Sequence, residues 1–155
     1  MTTLFRRLLL LLALMFWQGG FMFYGGVVVE VGADVLGSHR MQGFVTQSVT
    51  NYLNVAGAVA LALWCWDIIT GHVADRRRLR WIGWGVLVVL LGVLVWLHPR
   101  LDALLNADDF RILDRPGYRR LHQWYLALST IQWAGAVGLT ALTLRAWRFE
   151  DATLC

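Results

Sequence analysis

The chain has 155 residues, of which 58% are hydrophobic and only 15% are charged, whereas soluble domains carry about 25% charged residues. This deficit of charge argues against a soluble domain and predicts a protein surface that faces lipid. The formal net charge is +4 and every basic residue is an arginine, but the arginines flank apolar runs, where they anchor helices. We therefore do not expect nucleic acid as a partner.

Four apolar runs follow one another along the chain, at 8–29 (continuing weakly to 36), 49–69, 81–97 and 121–144. Each approaches the ~20 residues that cross a hydrocarbon core of ~30 Å. Backbone in lipid must satisfy its own hydrogen bonds, so these runs are predicted to be helices. We predict an all-α fold, an integral membrane four-helix bundle. It forms one domain over residues 1–155, with helices at about 8–36, 46–70, 81–98 and 119–147.

The connections between these runs give an orientation. The stretch 37–46 is a short polar turn, 71–80 is strongly basic, and 98–120 is a long loop of mixed charge. Eight arginines fall on the side of the two termini and six on the other, and arginine is in excess on the cytoplasmic side of membrane proteins. We predict a multi-pass protein of the bacterial inner membrane with both termini in the cytoplasm. Tryptophans at the ends of the runs fit an aromatic belt: Trp81, Trp84, Trp96, Trp124 and Trp147.

The first predicted helix is rich in glycine. Gly19 and Gly26 are seven residues apart, as are Gly25 and Gly32, and this spacing repeats on one helix face. Small residues let a second helix approach closely in a membrane, so we interpret these four glycines as helix-packing positions.

Three polar stripes follow the 3.6-residue helical period. A polar side chain that faces lipid is costly, so each stripe is predicted to point into the bundle. The stripes are Gly19, Phe23, Gly26 and Glu30 in the first helix; Gln47, Asn51, Asn54 and Ala58 in the second; and His122, Tyr125, Ser129, Gln132 and Ala136 in the fourth.

The depth of these residues predicts a polar pocket or network in the outer half of the bundle. Glu30 lies near the outer end of the first helix, whereas Asn51 and His122 lie in the first turns of helices that begin outside. Asn54, Tyr125 and Gln132 in the stripes above are further candidates. An ionisable residue at membrane depth indicates function. A buried polar network that only joins helices would also need such partners, and both interpretations stay open here.

Cofactor signals are weak. His39, His98 and His122 lie at outer helix ends, and imidazole suits copper and zinc, while two histidines on facing helices could ligate haem. The sequence has no HxxxH, CxxCH or methionine cluster, and no GxSxG, P-loop or HExxH motif, so we expect no cofactor and name no catalytic residue. Asp67, near the inner end of the second helix, is predicted to pair with the basic stretch at 76–80.

Three segments carry a resemblance to a known family. Residues 16–29 (FWQGGFMFYGGVVV), 42–53 and 118–125 resemble small four-helix bacterial membrane proteins, grouped as a domain of unknown function related to a human transmembrane protein associated with platinum-drug resistance. Leu121 and His122 match a Leu-His pair of that family, while Glu30 stands where members often have proline. The resemblance implies a four-helix fold and an inner-membrane address, and it implies no established activity.

Two functions of different classes follow from the sequence. The leading hypothesis is a non-enzymatic membrane protein, either an accessory or structural subunit of a larger membrane complex or a self-associating bundle, with other membrane subunits or copies of itself as partners. The alternative is a carrier or redox module that binds a small ligand, a metal, haem or quinone in the outer polar pocket.

Overall fold

The computed structural model describes residues 2–71, 76–106 and 111–154. Within these residues the chain forms four helical spans, all long and apolar enough to cross a membrane, so the predicted all-α four-helix architecture is confirmed. The elements are α1 (Thr2–Phe23), a π-helical turn (Tyr24–Val28), α2 (Val29–Leu36), α3 (His39–Thr70), α4 (Arg77–Asp102), β1 (Leu105–Asn106), β2 (Arg111–Ile112) and α5 (Arg115–Leu154). Within the basic stretch at 71–80 and the long loop at 98–120, residues 72–75 and 107–110 lie outside the described residues.

The first span is one continuous helical rod that ends at Gly37. Gly37 adopts a left-handed conformation (φ +62°), and its backbone N–H bonds the carbonyls of Ala33 and Asp34, as glycine commonly does at a helix end. The Ser38 hydroxyl then accepts a hydrogen bond from the backbone N–H of Met41, which caps α3. The chain thus reverses in two residues, and the polar residues after Ser38, expected in a turn, are helical.

The helices pack in chain order, α1 against α3, α3 against α4, and α4 against α5. Residues 2–7 and 147–154 share one end of the bundle, here called the terminal end; Gly37 and the β1–β2 hairpin mark the other, the loop end. A buried core fills the terminal half, and a smaller one lies toward the loop end. The larger core contains Leu10, Leu14, Trp17, Ala60, Leu61, Trp64, Leu87, Leu91, Ala136, Leu139 and Trp147; the smaller contains Leu94, Leu97, Leu101 and Tyr125.

Tryptophan rings hold the larger core together through specific contacts. Gly57 leaves room for the Trp17 indole, since a Cβ at this position would lie 2.9 Å from the ring. The buried Trp64 indole donates a hydrogen bond to the Thr143 hydroxyl at 2.9 Å, so its polar N–H is satisfied. The outward faces carry large apolar side chains such as Val89, which is 65% exposed. This distribution of exposed apolar side chains is compatible with a helical bundle that faces lipid.

Candidate functional site

The polar stripe of α5 points inward, as the helical spacing predicted. Tyr125, Ser129 and Gln132 are buried, and His122 is half-buried on the same face. Their spacing of three and four residues keeps them on one side of an α-helix. The stripe therefore forms one wall of the bundle interior.

A cavity of about 160 Å³ lies against this wall in the half of the bundle toward the loop end. All four helical spans contribute to its lining, and most of its surface is apolar. Trp17 closes it toward the larger core, and Leu94 and Leu101 of α4 form part of the side. The polar lining comes chiefly from Gln47, Asn54, His98, Asp102, Tyr118, His122, Tyr125, Ser129 and Gln132.

Most of these polar groups already have partners. The Asn54 amide donates a hydrogen bond to the Tyr125 hydroxyl at 3.2 Å. The Nε2 atom of His98 lies 3.5 Å from a carboxylate oxygen of Asp102, one helical turn further along α4. The rings of Tyr118 and His122 are stacked with their centroids 5.7 Å apart. These contacts give the cavity a defined polar lining toward the loop end.

Gln132 differs from the other polar residues of the lining. Its side chain is only 5% exposed, and among the described residues no hydrogen-bond acceptor faces its Nε2 atom. A buried donor without a partner costs about 1–3 kcal/mol, and such groups in native structures call for an explanation. This atom is also out of reach of a water molecule, so a molecule bound in the cavity would gain a hydrogen bond from it once the terminal amide of Gln132 turns toward the cavity.

The cavity opens between the first span and α5. Gly25 and Leu126 line it from these two elements, and both are exposed. Gly25 belongs to the π-helical turn, and no atom of a neighbouring element lies within 4 Å of the position its Cβ would take. π-helical turns are frequent at functional sites. Here the turn and the missing side chain together leave the opening unobstructed.

Two of the predicted pocket residues do not reach the cavity. Glu30 is exposed, and so are Gly19, Phe23 and Gly26, so the first-helix stripe shares one face, as predicted, but that face points outward. The expected convergence of Glu30 and His122 is therefore wrong. Glu30 lies only seven residues before Gly37, close enough to the helix end for water or lipid headgroups to solvate a carboxylate.

The stripe of α3 is divided between the interior and the surface. Asn54 is buried in the cavity wall and Gln47 also lines it, whereas Asn51 is exposed. Three residues turn an α-helix by about 300°, so Asn51 and Asn54 point about 60° apart. Gln47 and Asn54, on the inner edge of the stripe, reach the cavity, and the expected place of Asn51 in the pocket is wrong because it lies on the outer edge.

The glycines chosen as packing positions occupy two environments. A Cβ on Gly32 would collide with the side-chain amide of Gln42, so this glycine packs closely within the chain. Gly19, Gly25 and Gly26 are exposed and meet no atom of a neighbouring element within 4 Å. The surface of the first span thus has small residues that no helix of this chain covers.

The histidines do not assemble a metal centre in the part of the chain that the structure describes. His39 is exposed at the start of α3, whereas His98 and His122 line the cavity. In residues 2–71, 76–106 and 111–154, no three His, Cys, Asp or Glu side chains are placed to hold a metal ion. A cavity of ~150 Å³ holds one benzene ring, so the 160 Å³ present here is too small for the four-ring plane of a haem.

A second buried polar cluster lies at the terminal end, and it is larger than the sequence predicted. Asp67 is 1% exposed and accepts hydrogen bonds from Arg6 Nε at 2.9 Å, Arg80 Nη2 at 2.5 Å and Trp147 Nε1 at 3.2 Å. Pairing with the basic stretch was expected, and Arg80 provides it. Arg6 and Trp147 were not expected as partners of Asp67, and Trp147 is buried; its predicted place in an aromatic belt stays a prediction.

The ionic cluster continues outward from Asp67 along α1 and α5. Arg6 Nη2 lies 3.7 Å from Glu150, and Arg7 contacts Glu150 and Asp151, each at 2.8 Å. Buried charges are tolerated when they are paired, and this cluster pairs residues from all four spans. These ion pairs join the four spans at the terminal end of the bundle, whereas the cavity lies toward the loop end.

The chain matches no family model, no curated protein and no solved structure. Its helical architecture and apolar surface are compatible with a multi-pass membrane protein, since the described residues form four helices that are long and apolar enough to cross a membrane. The family resemblance noted in the sequence stays a prediction.

Proposed function

We propose that this chain is a multi-pass membrane protein that binds one small, mostly apolar molecule in the cavity between its helices. The observation that carries this proposal is a cavity of about 160 Å³ with a buried, unpartnered amide in its wall and an opening beside Gly25. Ligand sites are typically apolar pockets with a few polar groups that fix orientation. In this proposal the volume of the cavity limits the ligand to about the size of one ring, and the ligand enters through the opening beside Gly25.

The opening supports entry from the lipid phase. Gly25 and the half-exposed Leu126 lie on the surface of spans that are long and apolar enough to cross a membrane. A molecule dissolved in hydrocarbon reaches such an opening without crossing water. We place both termini in the cytoplasm of a bacterial inner membrane from the arginine count, which puts the cavity in the outer half of the bilayer.

The binding can be measured with fluorobenzene and ¹⁹F NMR on the purified full-length chain in lipid nanodiscs. Fluorobenzene dissolved in lipid and fluorobenzene held in the cavity are expected to give separate resonances. Gly25→Leu places a side chain at the opening and should abolish the bound resonance. Gly26→Leu is the matched control, because Gly26 is in the same π-helical turn, is equally unobstructed and does not line the cavity.

The three proteins together show whether fluorobenzene binds in the cavity. A bound resonance in the wild type and in Gly26→Leu, but not in Gly25→Leu, supports the proposed site. No bound resonance in the wild type, or an equal one in all three proteins, contradicts it. The lipid-dissolved fraction is the same in every sample and therefore does not affect the comparison.

A second function, association with a partner subunit or a second copy, is favoured by the outward face of the first span. This face combines Gly19 and Gly26 with Glu30, all exposed, and Glu30 forms no hydrogen bond or ion pair with the described residues. Small residues permit close helix contact in membranes, and a carboxylate there gains from a polar partner.

Association is tested by counting chains per nanodisc-sized native membrane patch through single-molecule photobleaching. Gly26→Leu should shift the distribution toward single chains, whereas Gly92→Leu should not. Gly92 is the control because it is exposed and unobstructed on α4, away from this face. Single chains only in the wild type, together with no co-purifying subunit, would exclude this role.

A further inference from the structure

We propose that the ligand of the cavity is a single ring with two opposed carbonyl oxygens, a benzoquinone-type molecule, held between Gln132 and Tyr125. The inference rests on the proposed binding function and adds the chemical class of the ligand. Several buried side-chain atoms among the described residues have no hydrogen-bond partner, and of these residues Gln132 is the one that lines the cavity. The terminal torsion of a glutamine side chain is broad, so its amide can turn a donor toward a bound oxygen.

A second donor lies on the same face of α5. Asn54 Nδ2 is 3.2 Å from the Tyr125 hydroxyl oxygen, while the reverse contact to Asn54 Oδ1 is longer, at 3.4 Å. When Asn54 donates, the phenolic proton of Tyr125 is free to donate to another acceptor. The cavity then presents Gln132 and Tyr125 as neutral hydrogen-bond donors, beside the Gln47 amide and the Ser129 hydroxyl, which also line it. A neutral ligand with two acceptor oxygens matches the Gln132 and Tyr125 donors.

The spacing of the two residues along α5 fits a para arrangement of the acceptors. Tyr125 and Gln132 are seven residues apart, which corresponds to a rise of about 10.5 Å between their Cα atoms along an α-helix. A para-quinone with a hydrogen bond of about 2.9 Å at each oxygen spans a similar length. The volume of about 160 Å³ matches one ring, since ~150 Å³ accommodates benzene. Two fused rings would exceed it.

Charge in the lining favours a neutral ligand. His98 pairs with Asp102 at 3.5 Å, and His122 is stacked on Tyr118. The α5 donors of the lining that lie beyond His122 toward the larger core, Tyr125, Ser129 and Gln132, are uncharged. A carboxylate or ammonium at that depth would lose its hydration without gaining an opposite charge, whereas a carbonyl oxygen needs only the hydrogen bonds that Tyr125 and Gln132 supply.

The experiment uses 1,4-benzoquinone and p-xylene as probes, because they share one six-membered ring and carry either a carbonyl oxygen or a methyl group at each of the two para positions. Each displaces bound fluorobenzene from the full-length chain in nanodiscs, with Cys65 and Cys155 replaced by serine because benzoquinone alkylates thiols. We expect benzoquinone to bind at least tenfold more tightly than p-xylene. Gln132→Leu and Tyr125→Phe should each weaken benzoquinone binding about fivefold, the loss of one neutral hydrogen bond, and leave p-xylene binding unchanged. Gln123→Leu, at an exposed position of α5, is the control and should change neither.

The outcomes distinguish this inference from the proposed function. If benzoquinone and p-xylene displace fluorobenzene equally, or if neither variant weakens benzoquinone binding, the cavity binds rings without recognising their carbonyl oxygens, and the inference is overturned while the proposed function stands. If fluorobenzene gives no bound resonance, both fail. A benzoquinone with an isoprenoid tail identifies the source: tighter binding, after correction for partition into lipid, indicates a lipid-borne quinone, and equal binding indicates a free ring compound.

Discussion

Replacing Asp67 with asparagine tests the role of the buried ionic cluster. Asp67→Asn removes the one negative charge that Arg6 and Arg80 share directly, and both arginines are themselves buried, with 7% and 4% exposure. Asparagine keeps one acceptor oxygen for the Trp147 indole but cannot neutralise the two guanidinium groups. The change therefore leaves uncompensated positive charge at the centre of the terminal end of the bundle.

The expected loss of stability follows from that burial. Breaking a buried ion pair by removing one partner costs about 3–5 kcal/mol, and because the amide oxygen remains, we expect about 3 kcal/mol. Asp151→Asn is the matched control. Asp151 also pairs with an arginine, Arg7, at 2.8 Å, but its side chain is 60% exposed, and exposed pairs contribute about 0–1 kcal/mol.

The free energies of unfolding can be compared by titrating the protein in mixed micelles with sodium dodecyl sulfate and following tryptophan fluorescence. Trp147 contacts both carboxylate oxygens of Asp67 at 3.2 Å, so its emission reports on the cluster directly. If Asp67→Asn and Asp151→Asn lower the free energy of unfolding by equal amounts, Asp67 does not stabilise the terminal end of the bundle and the reasoning is refuted.

Two further substitutions test the packing around the cavity by the same unfolding measurement. Gly57→Ala should lower the free energy of unfolding by about 1–3 kcal/mol through overpacking, because the new methyl would lie 2.9 Å from the Trp17 ring. The control, Gly92→Ala at an unobstructed exposed site, should raise the free energy of unfolding by up to about 1 kcal/mol. Equal effects of the two substitutions would contradict the assigned contact between Gly57 and Trp17. Tyr125→Phe should cost about 1 kcal/mol by depriving Asn54 of its partner, and no loss would mean that their hydrogen bond is not formed.

The sequence predicted the features that depend on one helix alone. Apolar length predicted the four spans, and the spacing of Tyr125, Ser129 and Gln132 predicted the inward face of α5, because a helical period places these residues together whatever surrounds the helix. The inward face of α5 and its candidate residues Tyr125 and Gln132 could therefore be predicted from the sequence alone.

The features that the sequence did not predict depend on several helices or on local geometry. Arg6 and Trp147 lie 61 and 80 residues from Asp67, and only the packing order of the spans brings them together. The rule that polar residues face inward did not hold for Glu30, because near a helix end a carboxylate can stay solvated on the outer face. The opening beside Gly25 depends on a π-helical turn, which periodic patterns do not reveal.

The most direct measurement of the central claim is photo-crosslinking with phenyl azide, a single reactive ring, on the full-length chain in nanodiscs, followed by peptide mass spectrometry. The account predicts adducts on residues that line the cavity, such as Trp17, Leu94 and Ser129, and their loss in Gly25→Leu. Adducts confined to outward-facing side chains such as Val89 and Ile131, and unchanged by Gly25→Leu, would contradict it.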